Sequence, residues 1–479
     1  MKKILKEKNI NKYLKSAQEK EGVVSNKEFN EWYDKKCKNY IYKVEKIPIK
    51  KLREWKFTSD TGYLEHKSGK FFRVEGVHVR TNFGYTRSWS QPIINQPEIG
   101  ILGILTKNIN GLLHFLIQLK MEPGNINILQ ISPTVQATKS NYTKVHGGKS
   151  IKYLEYFLNS SKARIIVDQL QSEQGSRFLR KRNRNMIVEI SENEKISIGK
   201  NFCWLTLGQI LYFLKHNNMV NMDTRTVLSC IRYAKKDQKC DTAIHEYNSK
   251  NFNEDLFISS IANEKHAVHD FDDIISWITE MKTRYEVEVK RVPINQLKEW
   301  KYDGVQITHE KNRYFSVIGV SVTASDRENY KWDQPLIDST DFGILCFICQ
   351  KKNNILHFLV QARVEPGNLD VLELAPTLQC TPSNYDLQKK ETLPPFYDIV
   401  TKANNNSIRY DVIQSEEGGR FYHDQNRYNI IEIDGRYELD LPRNYLWMTL
   451  RQIKEFIRFN NYFNIEARGL LSCLEIKMP

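Results

Sequence analysis

Two stretches of this sequence carry hydroxyls and amides out of proportion to their length. The first offers Gln136, Thr138, Lys139, Ser140, Asn141 and Tyr142; the second offers Gln379, Thr381, Ser383, Asn384 and Tyr385. Directional donors and acceptors that end in an aromatic face suit a sugar or a nucleobase. The same residues could equally fold back on themselves through Asx and Ser/Thr turns. Another pair, SEQGSRFLRKRNRN from Ser172 and SEEGGRFYHDQNRY from Ser415, brings glycine, arginine and carboxylate together. A Gly-rich turn can present backbone N–H groups to an anion, and arginine forks onto phosphate, at about 1.5–3 kcal/mol per charge-assisted bond. The candidates here are Ser172 and Arg177, then Glu416, Glu417, Gly418, Gly419, Arg420 and His423. A solvated basic hairpin, its arginines paired with Glu173 or Glu416, is the plainer alternative.

Trp55 and Trp300 each end an expected short helix ahead of a polar turn. They could cap a pocket, where stacking on a base is worth roughly 1–3 kcal/mol, or fill the core. Trp204 and Trp447 precede an apolar helix and read as core, as do His114 and His357 on apolar strands. Cys346 and Cys349 form a CxxC inside the run GILCFICQ. Residues three apart on a strand point to opposite faces, so these read as buried strand cysteines and not as a metal or redox pair.

The elements that must position these groups occur twice. EPGNINILQISPTVQATKSNY from Glu122 returns as EPGNLDVLELAPTLQCTPSNY from Glu365, an offset of 365 − 122 = 243. The same offset pairs Trp89 with Trp332, His114 with His357, Ser172 with Ser415 and Cys230 with Cys473. This is a tandem duplication of a domain: a tail over residues 1–28, repeat one over 29–230, a linker over 231–270 and repeat two over 271–479. Each repeat is expected to open with a helix, a turn at Pro48 or Pro293 and a second short helix. Hairpin strands follow, GILGIL with LLHFLIQLK and GILCFICQ with ILHFLVQAR. EPGN reads as a type II turn, which wants a positive φ at its glycine. LTLGQILYFLKHNNMV, apolar at Leu207, Ile210, Leu211 and Leu214, closes the unit as a helix. The fold class is α+β, one sheet-rich unit per repeat.

Composition sets the bounds. The chain of 479 residues, 40% hydrophobic, is long enough for two cores. Its net charge of +14 suits an anionic partner, though part of the excess lies in the Lys-rich start and the RKRNR run. No run approaches a membrane span, and the start MKKILKEKNINKYLKSAQEKEG lacks the apolar core of a secretory signal, so the protein is expected in the cytoplasm. Eight cysteines are too sparse for a disulfide scaffold. The motifs GxxxxGKS/T, GxGxxG after a strand and HExxH are absent.

WSQP, GILGIL, EPGN, PTVQATKSNY and SEQGSRFLRKRNRN, followed by WDQP, PTLQCTPSNY and SEEGGRFYHDQNRY, carry a specific resemblance. In that order they resemble the NDP-hexose 2,3-dehydratases of deoxysugar biosynthesis, over about residues 29–475. The resemblance implies two Nudix-like units per subunit, a homodimer, and dTDP-4-dehydro-6-deoxyglucose as substrate. It implies a carbon–oxygen lyase that loses water across C2 and C3, with no metal and no redox cofactor. An NADPH-dependent 3-ketoreductase would act next. The sequence has no Nudix box, so pyrophosphate hydrolysis is not expected.

Carried onto this sequence, the family's ligand-contacting motifs fall on Trp55, Thr138, Lys139, Ser140, Asn141, Tyr142 and Ser172, with Arg177 in the same turn. In repeat two they fall on Trp300, Arg363, Gln379, Cys380, Thr381, Asn384 and Tyr385, and on Glu417, Gly418, Gly419 and Arg420. Tyr385, Arg363, Glu416 and His423 are the expected acid–base and charge-stabilising groups, with the reacting pocket in repeat two. Two readings stay open beside this one: a nucleotide- or nucleic-acid-binding protein without catalysis, and a nucleotide-sugar epimerase. The leading reading involves neither nucleic acid nor membrane.

Overall fold

The computed structural model describes residues 12–138, 151–159, 161–233, 249, 251–325, 330–389 and 392–477. Four sheets carry the fold, two per repeat, as the α+β expectation requires. In repeat one the larger sheet runs Arg164–Ser172, Arg182–Ile190, Gly100–Ile109, Leu112–Lys120, Phe202–Thr206. Short strands Val135–Ala137 and Gln130–Ser132 add to its middle. Only the Arg182–Ile190 to Gly100–Ile109 pairing is parallel. Repeat two builds the same sheet from Ile408–Ser415, Gln425–Ile433, Gly343–Lys352, Ile355–Arg363 and Tyr445–Thr449. The expected hairpins are there: Leu105 pairs with Leu116 and Cys349 with Phe358.

The smaller sheets join the repeats. Strand Tyr42–Ile47 of repeat one leaves its own unit and pairs antiparallel with Phe315–Ala324 of repeat two, Tyr42 opposite Ala324 and Ile47 opposite Gly319. Strand Val287–Val292 of repeat two makes the reciprocal pairing with Arg73–Thr81, Val287 opposite Thr81. Both strands alternate half-buried and exposed residues, so each covers a sheet edge with one face. The sequence reading had no strand here. It expected a second helix at IKKLREW and INQLKEW, where only the single turns Ile49–Lys51 and Ile294–Gln296 form.

The stretches read as tail and linker also hold structure. Helix Lys12–Gln18 lies on the strand Leu112–Lys120, with Ser16 Oγ donating to the Leu113 carbonyl at 2.6 Å. Helix Phe252–Ile261 does the same for repeat two, where Ser259 Oγ donates to the Leu356 carbonyl at 2.6 Å. Since 259 − 16 = 243, these helices belong to the repeat pattern. Nor does the unit end at the helix Leu207–Phe213. A further helix Met222–Ser229 follows and packs on its equivalent Ile465–Ser472.

Equivalent residues meet again at Phe178 and Phe421, whose ring centroids lie 5.8 Å apart. Contacts of a residue with its own counterpart mark a pseudo-twofold axis. The core that includes them takes Trp55, Phe72, Trp300 and Phe315 from both repeats. Cys346 and Cys349 face two different cores, as strand geometry required. His114 and His357 are core residues whose Nε2 atoms accept from the Val23 and Val268 N–H groups; burial pushes His357 down to about 4. Among the described residues no helix is long and apolar enough to cross a membrane.

Exchange of strands predicts that the repeats are not separable. Proteolytic cutting between residues 233 and 249, at an inserted cleavage sequence, should leave both fragments co-eluting as one species of unchanged size. Two independently folded fragments in native buffer would contradict the pairing.

Candidate active site

The EPGN turn of each repeat docks on the Gly-rich turn of the other. Gly124 N–H donates to the Gly418 carbonyl at 2.7 Å, and His423 N–H donates to the Gly124 carbonyl at 2.8 Å. Their mirror images are Gly367 to Gly175 at 2.7 Å and Arg180 to Gly367 at 2.8 Å. A Cβ on Gly124 would stand 1.5 Å from the Phe421 carbonyl oxygen, and one on Gly367 1.7 Å from that of Phe178. Neither glycine has a positive φ. The type II expectation is therefore replaced by another reason for glycine, the close approach of a second backbone.

Two fully buried arginines hold this docking. Arg225, on helix Met222–Ser229, donates to Gln414 Oε1 at 2.9 Å and to the Ser415 carbonyl. Arg468, its equivalent on Ile465–Ser472, donates to Thr226 Oγ1 at 3.0 Å and to the Ser172 carbonyl at 2.5 Å. Each repeat thus fixes the Ser-Glu-Gly-Arg turn of its neighbour.

Two composite sites result. At the first, repeat one supplies Lys120, Glu122, Gln136, Asp223, Trp55 and Phe72. Glu122 Oε1 accepts from Gln136 at 2.7 Å and from Lys120 at 3.2 Å. Repeat two supplies Glu417, Gly418, Gly419 and Arg420. The Arg420 guanidinium lies 3.9 Å over the Phe72 ring and donates to Gln96 Oε1 at 3.1 Å. At the second site, Glu365 Oε1 accepts from Arg363 at 2.9 Å and from Gln379 at 3.0 Å. Asn464 holds the Gln379 amide oxygen at 2.8 Å, and Glu466 extends from the helix start. Repeat one contributes Gln174, Gly175, Ser176 and Arg177, whose guanidinium lies 4.2 Å over Phe315.

This interlocking regroups the sequence candidates. Tyr385 and Arg363 belong with Arg177 around the second site, where burial raises the Tyr385 hydroxyl and Arg363 opposes the shift. Arg420, Glu417, Gly418 and Gly419 lie at the first site, although they follow Tyr385 in the chain. Glu416 is fully engaged: Asn426 and Gln174 donate to its two oxygens at 2.5 Å each. His423 is exposed, stacks on Tyr422 at 4.1 Å and stands near Lys46, apart from Arg363 and Tyr385. Trp55 and Trp300 are buried, their indole N–H groups donating to the Asp333 and Ser90 carbonyls, and they back the Arg–Phe stacks.

Ser172 donates to Glu373 Oε2 at 2.6 Å across the repeat interface. Cys380 is a buried strand residue, the Thr381 carbonyl caps a turn at Asn384, and Asn384 Oδ1 is buried without a partner among the described residues. Thr138 ends the described part of its loop; Lys139, Ser140, Asn141 and Tyr142 lie outside the described residues.

The sequence reading missed Glu122 and Glu365, which sit inside the duplicated EPGN but were read only as part of a turn. It also missed Asp223 and Glu466, at the start of a helix it did not expect. Burial raises the carboxyls of both well above the ordinary range, with like charges adding to it: Glu417 and Glu122 for Asp223, Glu365 and Glu416 for Glu466. Glu122 Oε2, Glu365 Oε2 and Glu466 Oε2 are buried with no hydrogen-bond partner among the described residues. Also among the described residues, no group of three or more His, Cys, Asp or Glu is placed to hold a metal ion.

The family model described as NDP-hexose 2,3-dehydratase matches residues 26–231 and again 271–474. The chain belongs to the NDP-hexose 2,3-dehydratase family. Among its curated relatives is a dTDP-4-dehydro-6-deoxy-alpha-D-glucopyranose 2,3-dehydratase of Saccharopolyspora spinosa, 44% identical over 95% of this chain and 92% of the relative. One of the same name from Amycolatopsis orientalis is 44% identical over 92% of this chain and 88% of its own length. A third, from Streptomyces violaceoruber, is 39% identical over 93% of this chain and 96% of its own. In this member of the 2,3-dehydratases the two matched regions are the two interlocked repeats.

One interface carboxyl gives a pH signature. Burial pushes Glu373 up to about 7 from an ordinary 4.5, against the Ser172 hydrogen bond. Folding then favours the protonated form: this contribution is complete below about pH 4.5 and is lost as pH rises through about 7. Between pH 5 and 8 it should cost up to about 3 kcal/mol of stability. Glu373→Gln, which places there the amide that Gln130 provides in repeat one, should remove that share of the pH dependence in denaturant titrations. An unchanged slope would contradict the assignment.

Proposed function

We propose that this protein eliminates water across C2 and C3 of dTDP-4-dehydro-6-deoxyglucose to give a 3,4-diketo-2,6-dideoxy sugar nucleotide. The observation that carries this reading is an arginine stacked on phenylalanine beside a buried carboxylate cluster, built twice from interlocked family repeats. Arg177, held flat on Phe315 and donating through Nη1 to the Ser176 carbonyl, keeps N–H groups for a diphosphate, whereas Arg420 donates to Gln96 and to the Gly419 carbonyl. Buried carboxylate oxygens with no donor among the described residues suit a hydroxyl-rich ligand. The names of the relatives supply the sugar and the nucleobase.

The chemistry asks for acid–base groups and charge stabilisation. The C4 ketone acidifies the C3 hydrogen; a carboxylate removes it, and the electron pair forms the C3=C4 enolate. Donors on the C4 oxygen stabilise that charge, a role open to Arg363 and Tyr385 at the second site and to Lys120 at the first. The enolate electrons then form C2=C3 while the C2 hydroxyl leaves with a proton as water. The resulting C3 enol takes a proton at C2 and gives up its hydroxyl proton, which leaves the C3 ketone. Oxidation at C3 is balanced by reduction at C2, so the reaction needs no external oxidant. Each general acid or base contributes roughly 10²–10⁴-fold. The same reading includes a cytoplasmic homodimer and an NADPH-dependent 3-ketoreductase that consumes the product.

Incubation with dTDP-4-dehydro-6-deoxyglucose in deuterated water, with the product trapped by such a reductase, should show loss of one water and deuterium at C2. A sugar that exchanges at C3 but keeps its oxygen would instead mark an epimerase. Unaltered substrate would leave a binding protein. Because the sites are composite, Tyr385→Phe and Arg177→Ala report on one site, and Arg420→Ala on the other.

A further inference from the structure

The two sites differ where a proton has to move. Position 417 is Glu in repeat two, and its equivalent in repeat one is Gln174, since 417 − 174 = 243. Gln174 is buried and turned inward, donating to Glu416 Oε2 at 2.5 Å. The mirrored contact would set the Glu417 carboxylate on that of Glu173, and it is not made. Glu173 accepts from Asn183 at 2.6 Å, and its Oε2 is buried with no partner among the described residues.

Glu417 lies instead over Gly419. A Cβ at Gly419 would be 2.8 Å from Glu417 Oε1 and 3.6 Å from Glu122 Oε1. Repeat one has Ser176 at that position, so the space the carboxylate uses exists at the first site alone. Glu417 is only partly buried, and among the described residues no hydrogen bond holds its carboxylate. Glu122, Glu173, Asp223, Glu365, Glu416 and Glu466 are all buried, and Asp424, half-buried near Arg177, is held by a hydrogen bond from Ser339 at 2.8 Å.

We propose that Glu417, reaching from repeat two over the sheet of repeat one, is the group that takes the C3 proton, so that the reacting site is the one it overhangs. This rests on the dehydration assigned above. In the first step the C3–H bond breaks, its electron pair forms the enolate, and the proton resides on Glu417. In the second, C2=C3 forms, the C2–O bond breaks, and the departing hydroxide takes up one proton, which restores the proton count of the enzyme. The charged groups facing Glu417 are Glu122, Glu173, Asp223, Lys181 and Arg420, with Lys120 bonded to Glu122. Burial moves its carboxyl above the usual range, Arg420 opposes this, and the charges of Glu173 and Glu122 reinforce it. A base with its pKa nearer neutrality is better matched to abstraction from carbon.

Glu417→Gln tests this in the full-length protein, since the amide is the residue that repeat one carries. The expected result is a loss of kcat by about 10²-fold or more. Calorimetric affinity and stoichiometry for dTDP should be unchanged, and the acidic limb of the kcat–pH profile should disappear from the residual rate. Turnover within about fivefold of wild type, or an unchanged acidic limb, would overturn the assignment. Loss of dTDP binding together with turnover would also overturn it, making Glu417 a binding group. Wild-type protein that releases no water from the sugar removes both this proposal and the reaction beneath it. Equal turnover by wild type and variant removes Glu417 alone.

Discussion

The architecture depends on two guanidinium groups that have no contact with solvent. Burying a charge is costly unless its hydrogen bonds are made; Arg225 and Arg468 each donate to one carbonyl of their own repeat, Val220 and Phe463, and otherwise across to Gln414 and Ser415 or to Thr226 and Ser172. Their targets are the carbonyls of Ser415 and Ser172, the residues from which the Gly-rich turns spring. Once those carbonyls are fixed, Gly418 and Gly175 meet the opposing EPGN turns. Arg420 and Arg177 then come to rest on Phe72 and Phe315. The two arginines are not equally satisfied. Arg468 Nε reaches Thr226, whereas Arg225 Nε has no partner among the described residues, because the position equivalent to Thr226 is Gly469.

Much of this was legible in the sequence, for identifiable reasons. The offset of 243 survives because both repeats need the same turns, and the hairpins read clearly because alternation and an Asn/Gly or Asn/Asn turn coincide. Buried His and Cys were readable from their apolar neighbours. What escaped has a common cause. YKVEKI and VEVKRV satisfy an edge of a sheet, and periodicity states that an edge is covered without stating whose. In a duplicated chain both edges are alike, so local pattern cannot choose between a unit's own edge and its twin's. The same ambiguity put Arg420 and Tyr385 into one pocket when the fold divides them between two. The EPGN glycines were misread because a short side chain has two uses, a left-handed turn and a close approach, and the sequence does not distinguish them.

Near-symmetry makes the departures from it informative. Most equivalent positions keep their role across the axis: Glu122 with Glu365, Gln136 with Gln379, Asp223 with Glu466. Where Gln174 faces Glu416 the contact closes, and where Glu417 would face Glu173 like charge keeps it open. A single amide-to-acid difference at one turn thus accompanies a contact made on one side of the axis and left unmade on the other. Duplication supplied two copies of one framework, and the turn sequences differ between them.

The exchange of strands Tyr42–Ile47 and Val287–Val292 has a consequence for assembly. If the repeats were separate polypeptides, the same exchange would be a swapped dimer, and its formation would depend on protein concentration. Joined in one chain, the encounter becomes unimolecular, with an effective concentration set by the connecting segment. The sites then persist at any dilution. The opposing cost is kinetic: Tyr42 must find Ala324, a separation of 324 − 42 = 282 residues, and repeat one cannot complete its smaller sheet until Val287–Val292 has been synthesised.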